Sequence, residues 1–267
     1  MPAPIDFARD ERGLWKVTPR ILIIAGSDSG GGAGIQADIK TVTMLQGHAM
    51  TAITALTAQN TVGVTGVLPT PAAFVIEQMD ACISDIGVDA VKIGMIGSPE
   101  TVHAVADRLE HLTVPIVFDP VMVATSGSSL ADEATIAAFG RLMRMATVVT
   151  PNIPELEALG GEAAVLAHGC HLLAKGGHGE GDRVVDRLIA PSGEEVARVE
   201  GERLTTAHTH GTGCTLASAL ATGLGAGLPI EGAFEQAVQF TRRAIEQAPG
   251  LGSGHGPLGQ QNVTDFR

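Results

Sequence analysis

The chain has 267 residues, a formal net charge of −12 and a sequence pI near 5.1. That length suits one large α/β core, and the acidic balance argues against sequence-independent binding to nucleic acid or to an anionic membrane. Aromatic residues make up 3% and tyrosine is absent, so Val, Ile, Leu, Ala and Met must fill the interior.

Residues 1–18 carry Asp6, Asp10 and Glu11 and no apolar run. They read as a loose tail, neither signal peptide nor membrane helix, with a single domain from 19 to 267. Short apolar runs then alternate with amphipathic ones, the mark of βαβ units and a parallel sheet. A strand is expected at 20–25, a helix at 35–45, a strand at 49–56 and a helix at 72–84. A strand at 90–93, a helix at 100–111 and a strand at 116–119 follow. Beyond them come a helix at 132–145, a strand at 147–150, a helix at 154–159 and a strand at 171–175. Residues 184–189 and 195–199, joined by Pro191-Ser192-Gly193, read as an antiparallel hairpin at a sheet edge. Helices at 212–226 and 231–247 close the chain. Thr70-Pro71 and Ser98-Pro99 look like helix starts, a capping oxygen followed by proline. The three cysteines, Cys82, Cys170 and Cys214, are widely spaced, without disulfide or zinc patterning. That usage fits a reducing cytoplasm.

In open α/β sheets ligands sit beyond the carboxyl ends of the strands, and the unusual residues fall there. Gly26 to Gly34 form a glycine-rich turn that is neither a Walker loop nor a dinucleotide fingerprint. Gln59 offers a donor and an acceptor side by side, the complement of an amino-substituted nitrogen heterocycle. The alternative is a solvated loop glutamine. Asp119 either caps a turn or holds magnesium through water. Asn152 and Glu155, three apart, are either a capping pair or an amide and a carboxylate facing one ligand. Lys175 either reaches solvent or neutralises a moving phosphate. His178 and His210 lack metal-ligand spacing. Finally, Gly211-Thr212-Gly213-Cys214 opens an uninterrupted helical run. Backbone N–H groups and the helix dipole there suit an anion and should lower a thiol pKa. The bland alternative is an ordinary helix start with a small buried cysteine.

These segments, in this order, resemble the hydroxymethylpyrimidine/phosphomethylpyrimidine kinases of thiamine biosynthesis, in the ribokinase-like superfamily. The matching stretches are Ile24-Ala25-Gly26-Ser27-Asp28, Gly31 to Asp38, Ala55 to Thr61, Lys92-Ile93-Gly94-Met95, Asp119-Pro120-Val121-Met122, Thr150 to Glu155, Lys175-Gly176-Gly177-His178 and His210 to Thr215. The resemblance implies a three-layer α/β/α ribokinase-like fold, with a mostly parallel central sheet and an antiparallel edge hairpin. It implies ATP with magnesium, a monovalent cation being a further option, and two successive phosphorylations of 4-amino-5-hydroxymethyl-2-methylpyrimidine. On this reading Gly26, Ala33, Asp38, Gln59, Met95 and Val121 line the pyrimidine pocket. Asp119 and Glu155 act near magnesium. Asn152, Lys175 and Thr212 contact ATP phosphates. Gly211, Gly213 and Cys214 form an anion hole, with Cys214 as base. A homodimer and a cytoplasmic location are expected.

Two features depart from the family pattern. Thr125 precedes Ser126-Gly127 where the family carries Lys, and the stretch between Asn152 and Lys175 is short. Pyridoxal kinases of the same group would share the cradle residues. A non-catalytic binder of the pyrimidine is the alternative outside enzymes, against which Asp119, Lys175 and Cys214 count.

Overall fold

The computed structural model describes residues 15, 17–123, 127, 130–177 and 181–264. One nine-stranded sheet runs through them, from β1 (Arg20–Asp28), β2 (His48–Gln59), β3 (Val64–Pro69), β4 (Ala90–Ile93) and β5 (Ile116–Phe118) to β6 (Val148–Val149), β7 (His171–Ala174), β8 (Arg183–Ile189) and β9 (Glu195–Glu202). Their spatial order is β3-β2-β1-β4-β5-β6-β7-β8-β9. The six strands from β2 to β7 in that order are parallel, whereas β3, β8 and β9 pair antiparallel at the two edges.

Apolar residues alternate along the strands because successive side chains point to opposite faces. Leu22 and Ile24 of β1 join one core, with Val75 and Met79 of α2 (Ala72–Asp85), Val102 and Val105 of α3 (Pro99–Leu109) and Phe139 of α4 (Glu133–Met143). Ile21, Ile23 and Ala25 join the other. Their partners are Ile35 and Val42 of α1 (Gly34–Met44), Leu216 and Leu220 of α7 (Thr212–Gly225), and Phe234 and Phe240 of α8 (Ile230–Glu246). Each fully buried side chain of this kind contributes roughly 1.5–3 kcal/mol. With so few aromatics, one pair matters: Phe118 and Phe139 meet edge to face at 5.1 Å between ring centres. The result is the expected ribokinase-like three-layer arrangement.

Helix α7 is built of small residues, and everything from Thr215 to Gly225 is buried. A Cβ on Gly225 would stand 2.7 Å from Ile21 Cδ1, so glycine lets this helix lie close against the sheet. Its N-terminus is therefore fixed by core packing.

Several sequence expectations change. Strand β2 runs on to Gln59, which therefore sits in a strand and not in the loop after it. It turns through Asn60, whose Oδ1 accepts from the N–H groups of Val62 and Gly63, into β3. That strand was not anticipated because it is exposed on both faces and lacks apolar alternation. Strands β5, β6 and β7 are shorter than expected and leave Asp119, Thr150 and Lys175 just past their ends. The short segment after Asn152 holds two small helices, α5 (Ile153–Ala158) and α6 (Glu162–Leu166). Ser98 caps α3 by accepting from Thr101 N–H, but α2 is capped at Pro71 and the Thr70 side chain makes no cap. The expected tail lies outside the described residues except near its end, where Trp15 Nε1 donates to Leu45 O at 3.1 Å. Thr125, Ser126 and His178 also lie outside them.

Candidate active site

The ends of the parallel strands and the start of α7 enclose a cleft of about 1030 Å³. Gly26, Ala33, Gln59, Met95, Val121, Asp119, Asn152, Glu155, Lys175, Gly211, Thr212, Gly213 and Cys214 all line it. Asp38 does not: it is fully buried behind the wall. Its carboxylate accepts from Lys92 Nζ at 3.0 and 2.9 Å and from Ser218 Oγ at 2.7 Å. Asp38, expected to line the pyrimidine pocket, is corrected to a supporting place behind that lining. The reason is that α1 turns this residue toward β4 and α7.

At one end of the cleft Lys175 Nζ donates to Asp119 Oδ1 at 2.9 Å, and Thr150 Oγ1 donates to the same oxygen at 3.1 Å. Burial opposes the charge on Lys175, but Asp119 and Glu155 outweigh it and raise the lysine pKa. Asn152 and Glu155 form a capping box: Asn152 Oδ1 accepts from Glu155 N–H at 2.9 Å, and Glu155 Oε2 accepts from Asn152 N–H at 2.8 Å. The capping alternative is thus realised. It uses one oxygen of each side chain. Burial pushes the Glu155 pKa up, against the pull of the Lys175 charge, and the Asp119 charge adds to the rise.

Among the described residues Asp119 Oδ2 accepts no hydrogen bond. A Cβ on Gly213 would lie 3.5 Å from it and 3.2 Å from Lys175 Nζ, so the glycine keeps that space open. Asp119 and Glu155, two carboxylates beside one ammonium, are a donor set that would suit a magnesium ion held largely through water.

The middle of the cleft is the start of α7. Gly211 caps it with φ of +90°, a backbone that favours glycine. Cys214, in the first turn, was expected to be more acidic than usual. The structure reverses this: burial pushes its thiol up to about 12, and the charges of Asp38 and Asp119 add to the rise. The Lys92 ammonium and the Gly34 N–H work the other way. Lys92 itself is fully buried yet lines the cleft. It went unassigned in the sequence, although a lysine inside an apolar strand was the available signal.

At the other end Gly26 packs on Met95, where an added Cβ would stand 2.7 Å from Met95 Cε. Thr54 Oγ1 holds the Met95 carbonyl at 2.6 Å. The glycine-rich turn is organised by Asp28. Its carboxylate accepts from Gly30 N–H (2.8 Å), Gly32 N–H (2.9 Å), Ala33 N–H (2.8 Å) and His210 Nε2 (3.0 Å). Burial opposes ionisation, but His210, the Gln59 amide and these backbone donors hold the carboxyl well below the usual range. No role for Asp28 or His210 was apparent from the sequence, since they are 182 positions apart.

The sequence profile of the phosphomethylpyrimidine kinase family matches residues 28–259. The chain spans 38%, 51% and 34% of the length of the first three curated relatives, thiamine biosynthesis proteins named ThiED. The one from Geobacter sulfurreducens is 47% identical over 89% of this chain. A hydroxymethylpyrimidine/phosphomethylpyrimidine kinase of Rhizobium meliloti is 44% identical, covering 91% of this chain and 97% of its own. Among solved structures, the ADP complex of Bacillus subtilis pyridoxal kinase superposes with a TM-score of 0.84 at 29% identity, over 92% of this chain and 99% of the other. The Clostridium difficile phosphomethylpyrimidine kinase gives 0.73 at 35% identity, over 85% and 99%. With most of its length under that profile, and relatives of matching length at this identity, the chain belongs to the phosphomethylpyrimidine kinase family.

Proposed function

We propose that this chain transfers phosphate from ATP to the hydroxymethyl group of 4-amino-5-hydroxymethyl-2-methylpyrimidine, and then to the resulting monophosphate, with residues 19–267 acting as one kinase domain. The carrying observation is the order of groups along the cleft. Gln59, Met95 and Gly26 form an amide-and-apolar end, the Gly211–Cys214 loop lies in the middle, and Lys175 with Asp119 lies beyond.

Phosphoryl transfer depends mainly on positioning and on stabilising charge. The pyrimidine packs against Met95 and Val121, beside Ala33, and Gln59 reads its amino edge. The backbone N–H groups opening α7 receive the charge of the moving group. Lys175, Asn152 and Thr212 hold ATP phosphates. Magnesium, held by Asp119 and Glu155 largely through water, would neutralise phosphate charge. Cys214 takes the proton of the alcohol as it attacks. Because burial disfavours the thiolate, Lys92 and the Gly34 N–H are the groups that make it accessible.

The edge strand β3 is exposed along nearly its whole length, with Leu68 66% and Val62 in the adjoining turn 68% exposed. Open apolar edges of this kind are normally covered, and a second copy of the chain is the proposed cover. Among the described residues no helix is long and apolar enough to cross a membrane. We place the enzyme in the cytoplasm, where its three unpaired cysteines stay reduced.

A coupled ATPase assay with the pyrimidine alcohol, its monophosphate and pyridoxal tests the assignment. Turnover is expected with both pyrimidines. The second reading, a pyridoxal kinase, draws on the higher TM-score with that enzyme. Preference for pyridoxal would establish it, and binding of the pyrimidine without ATP consumption would establish a binding protein.

A further inference from the structure

Asp28 and His210 join two loops that the chain places far apart. Asp28 ends β1, is 2% exposed and gathers three backbone N–H groups of the turn leading into α1. With the carboxyl ionised, His210 Nε2 carries the proton and donates to it across 3.0 Å. His210 is 7% exposed and immediately precedes the Gly211 cap of α7. Its backbone N–H donates to Gly256 O at 3.1 Å, so the main chain at His210 is held as well as the ring.

The backbones are also in close contact. A Cβ on Gly32 would stand 2.4 Å from His210 Cδ2, and one on Gly211 would stand 1.9 Å from Gly32 O. Neither loop can shift against the other while the hydrogen bond and this interlock hold. One loop carries Ala33 and Gly34, on the acceptor side of the cleft. The other carries Gly213 and Cys214, on the phosphoryl side.

We propose that His210 is a positioning residue: clasped by Asp28, it locks the 28–34 turn onto the 211–214 loop, so that the acceptor wall and the anion hole hold one fixed distance. The inference rests on the kinase reading above, but the clasp itself is a statement about the two loops. An acceptor oxygen bound on one loop must meet phosphorus held by the other within a few tenths of an ångström. Misplacement of about 1 Å costs on the order of 10²-fold in rate. Loss of the clasp should therefore lower kcat far more than it raises the KM for ATP, because Asp119, Lys175 and Asn152 hold their end of the cleft without it and only Thr212 of the phosphate contacts lies on the released loop.

His210→Phe keeps an aromatic ring but no donor, and His210→Gln restores an amide N–H at the position of Nε2. In His210→Phe, kcat for the pyrimidine alcohol is expected to fall at least about 30-fold with the ATP KM within about threefold, and His210→Gln to recover most of the loss. Hydrogen exchange of the substrate-free protein should show amides 30–34 and 211–214 opening together in His210→Phe. If that variant does not fold, Gly32→Ala displaces the ring from the opposite side and should give the same pattern. Retained kcat in a folded variant, or faster exchange in one loop alone, overturns the proposal. A wild-type protein that shows joint protection of the loops but phosphorylates no pyrimidine would instead refute the kinase reading.

Discussion

Lys92 Nζ donates to both carboxylate oxygens of Asp38, at 3.0 and 2.9 Å, and neither side chain reaches solvent. The pair ties β4 to α1, and Ser218 Oγ, at 2.7 Å from Asp38 Oδ1, adds α7. Burial opposes the lysine charge, and Asp38 restores it and raises the Lys92 pKa further. Removing one partner leaves an uncompensated buried charge, at about 3–5 kcal/mol. Asp38→Leu should therefore lower the denaturation midpoint sharply, and the double variant Asp38→Leu, Lys92→Met should recover much of it. A pyrimidine KM that rises in Asp38→Asn without any loss of stability would return Asp38 to the pocket lining.

Glu155→Gln separates the two roles of the capping box. A glutamine Oε1 still accepts the Asn152 N–H, so α5 keeps its start. The negative charge beside Lys175 is lost. The expected outcome is a higher magnesium requirement with pyrimidine binding nearly intact. An unchanged magnesium titration would leave Glu155 as a helix cap alone.

How much of this was legible follows from where each signal lies. Strand β1 and helix α7 announce themselves by apolar runs and by the glycines that bound them. Gly26, Asp119, Asn152 and Lys175 were legible as residues of one cleft because they lie at or just past strand ends, which a parallel sheet gathers on one side. Asp38 was misplaced because a motif residue on a helix can face either wall, and only the packing of α1 against β4 decides which. Strand β3 had no period to detect, being exposed on both faces. The Asp28–His210 contact and the acidity of Cys214 depend on tertiary neighbours that no local pattern encodes.

Gln59 should set acceptor identity. Its amide lies at the end of β2, beside Asp28, which takes up part of its donor capacity. The carbonyl oxygen is left to accept from an amino substituent, which pyridoxal lacks. Gln59→Leu leaves that edge unpaired at roughly 1–3 kcal/mol. The ratio of kcat/KM for the pyrimidine over pyridoxal should drop about tenfold or more, since 1.4 kcal/mol is tenfold. An unchanged ratio would remove Gln59 from recognition.

The two phosphorylations test Cys214. The first acceptor is a neutral alcohol that must lose a proton, and a positioned base typically contributes about 10²–10⁴-fold. The second acceptor is a phosphate, already anionic near neutral pH because its second pKa is about 6. Burial holds the Cys214 thiol at about 12, so its thiolate is a minor species at neutral pH. That species grows roughly tenfold per pH unit below the pKa. The rate of alcohol phosphorylation should accordingly climb with pH through the neutral and alkaline range. Monophosphate phosphorylation should level off above about pH 7, once its acceptor is ionised. Cys214→Ala should flatten and depress the first profile and change the second much less. Gly213→Val, which fills the space beside Lys175 and Asp119, should slow both reactions. Single-turnover rates across pH for both acceptors decide the matter. Equal losses in Cys214→Ala, with a flat wild-type alcohol profile, would make the thiol a donor in the anion hole and not the base.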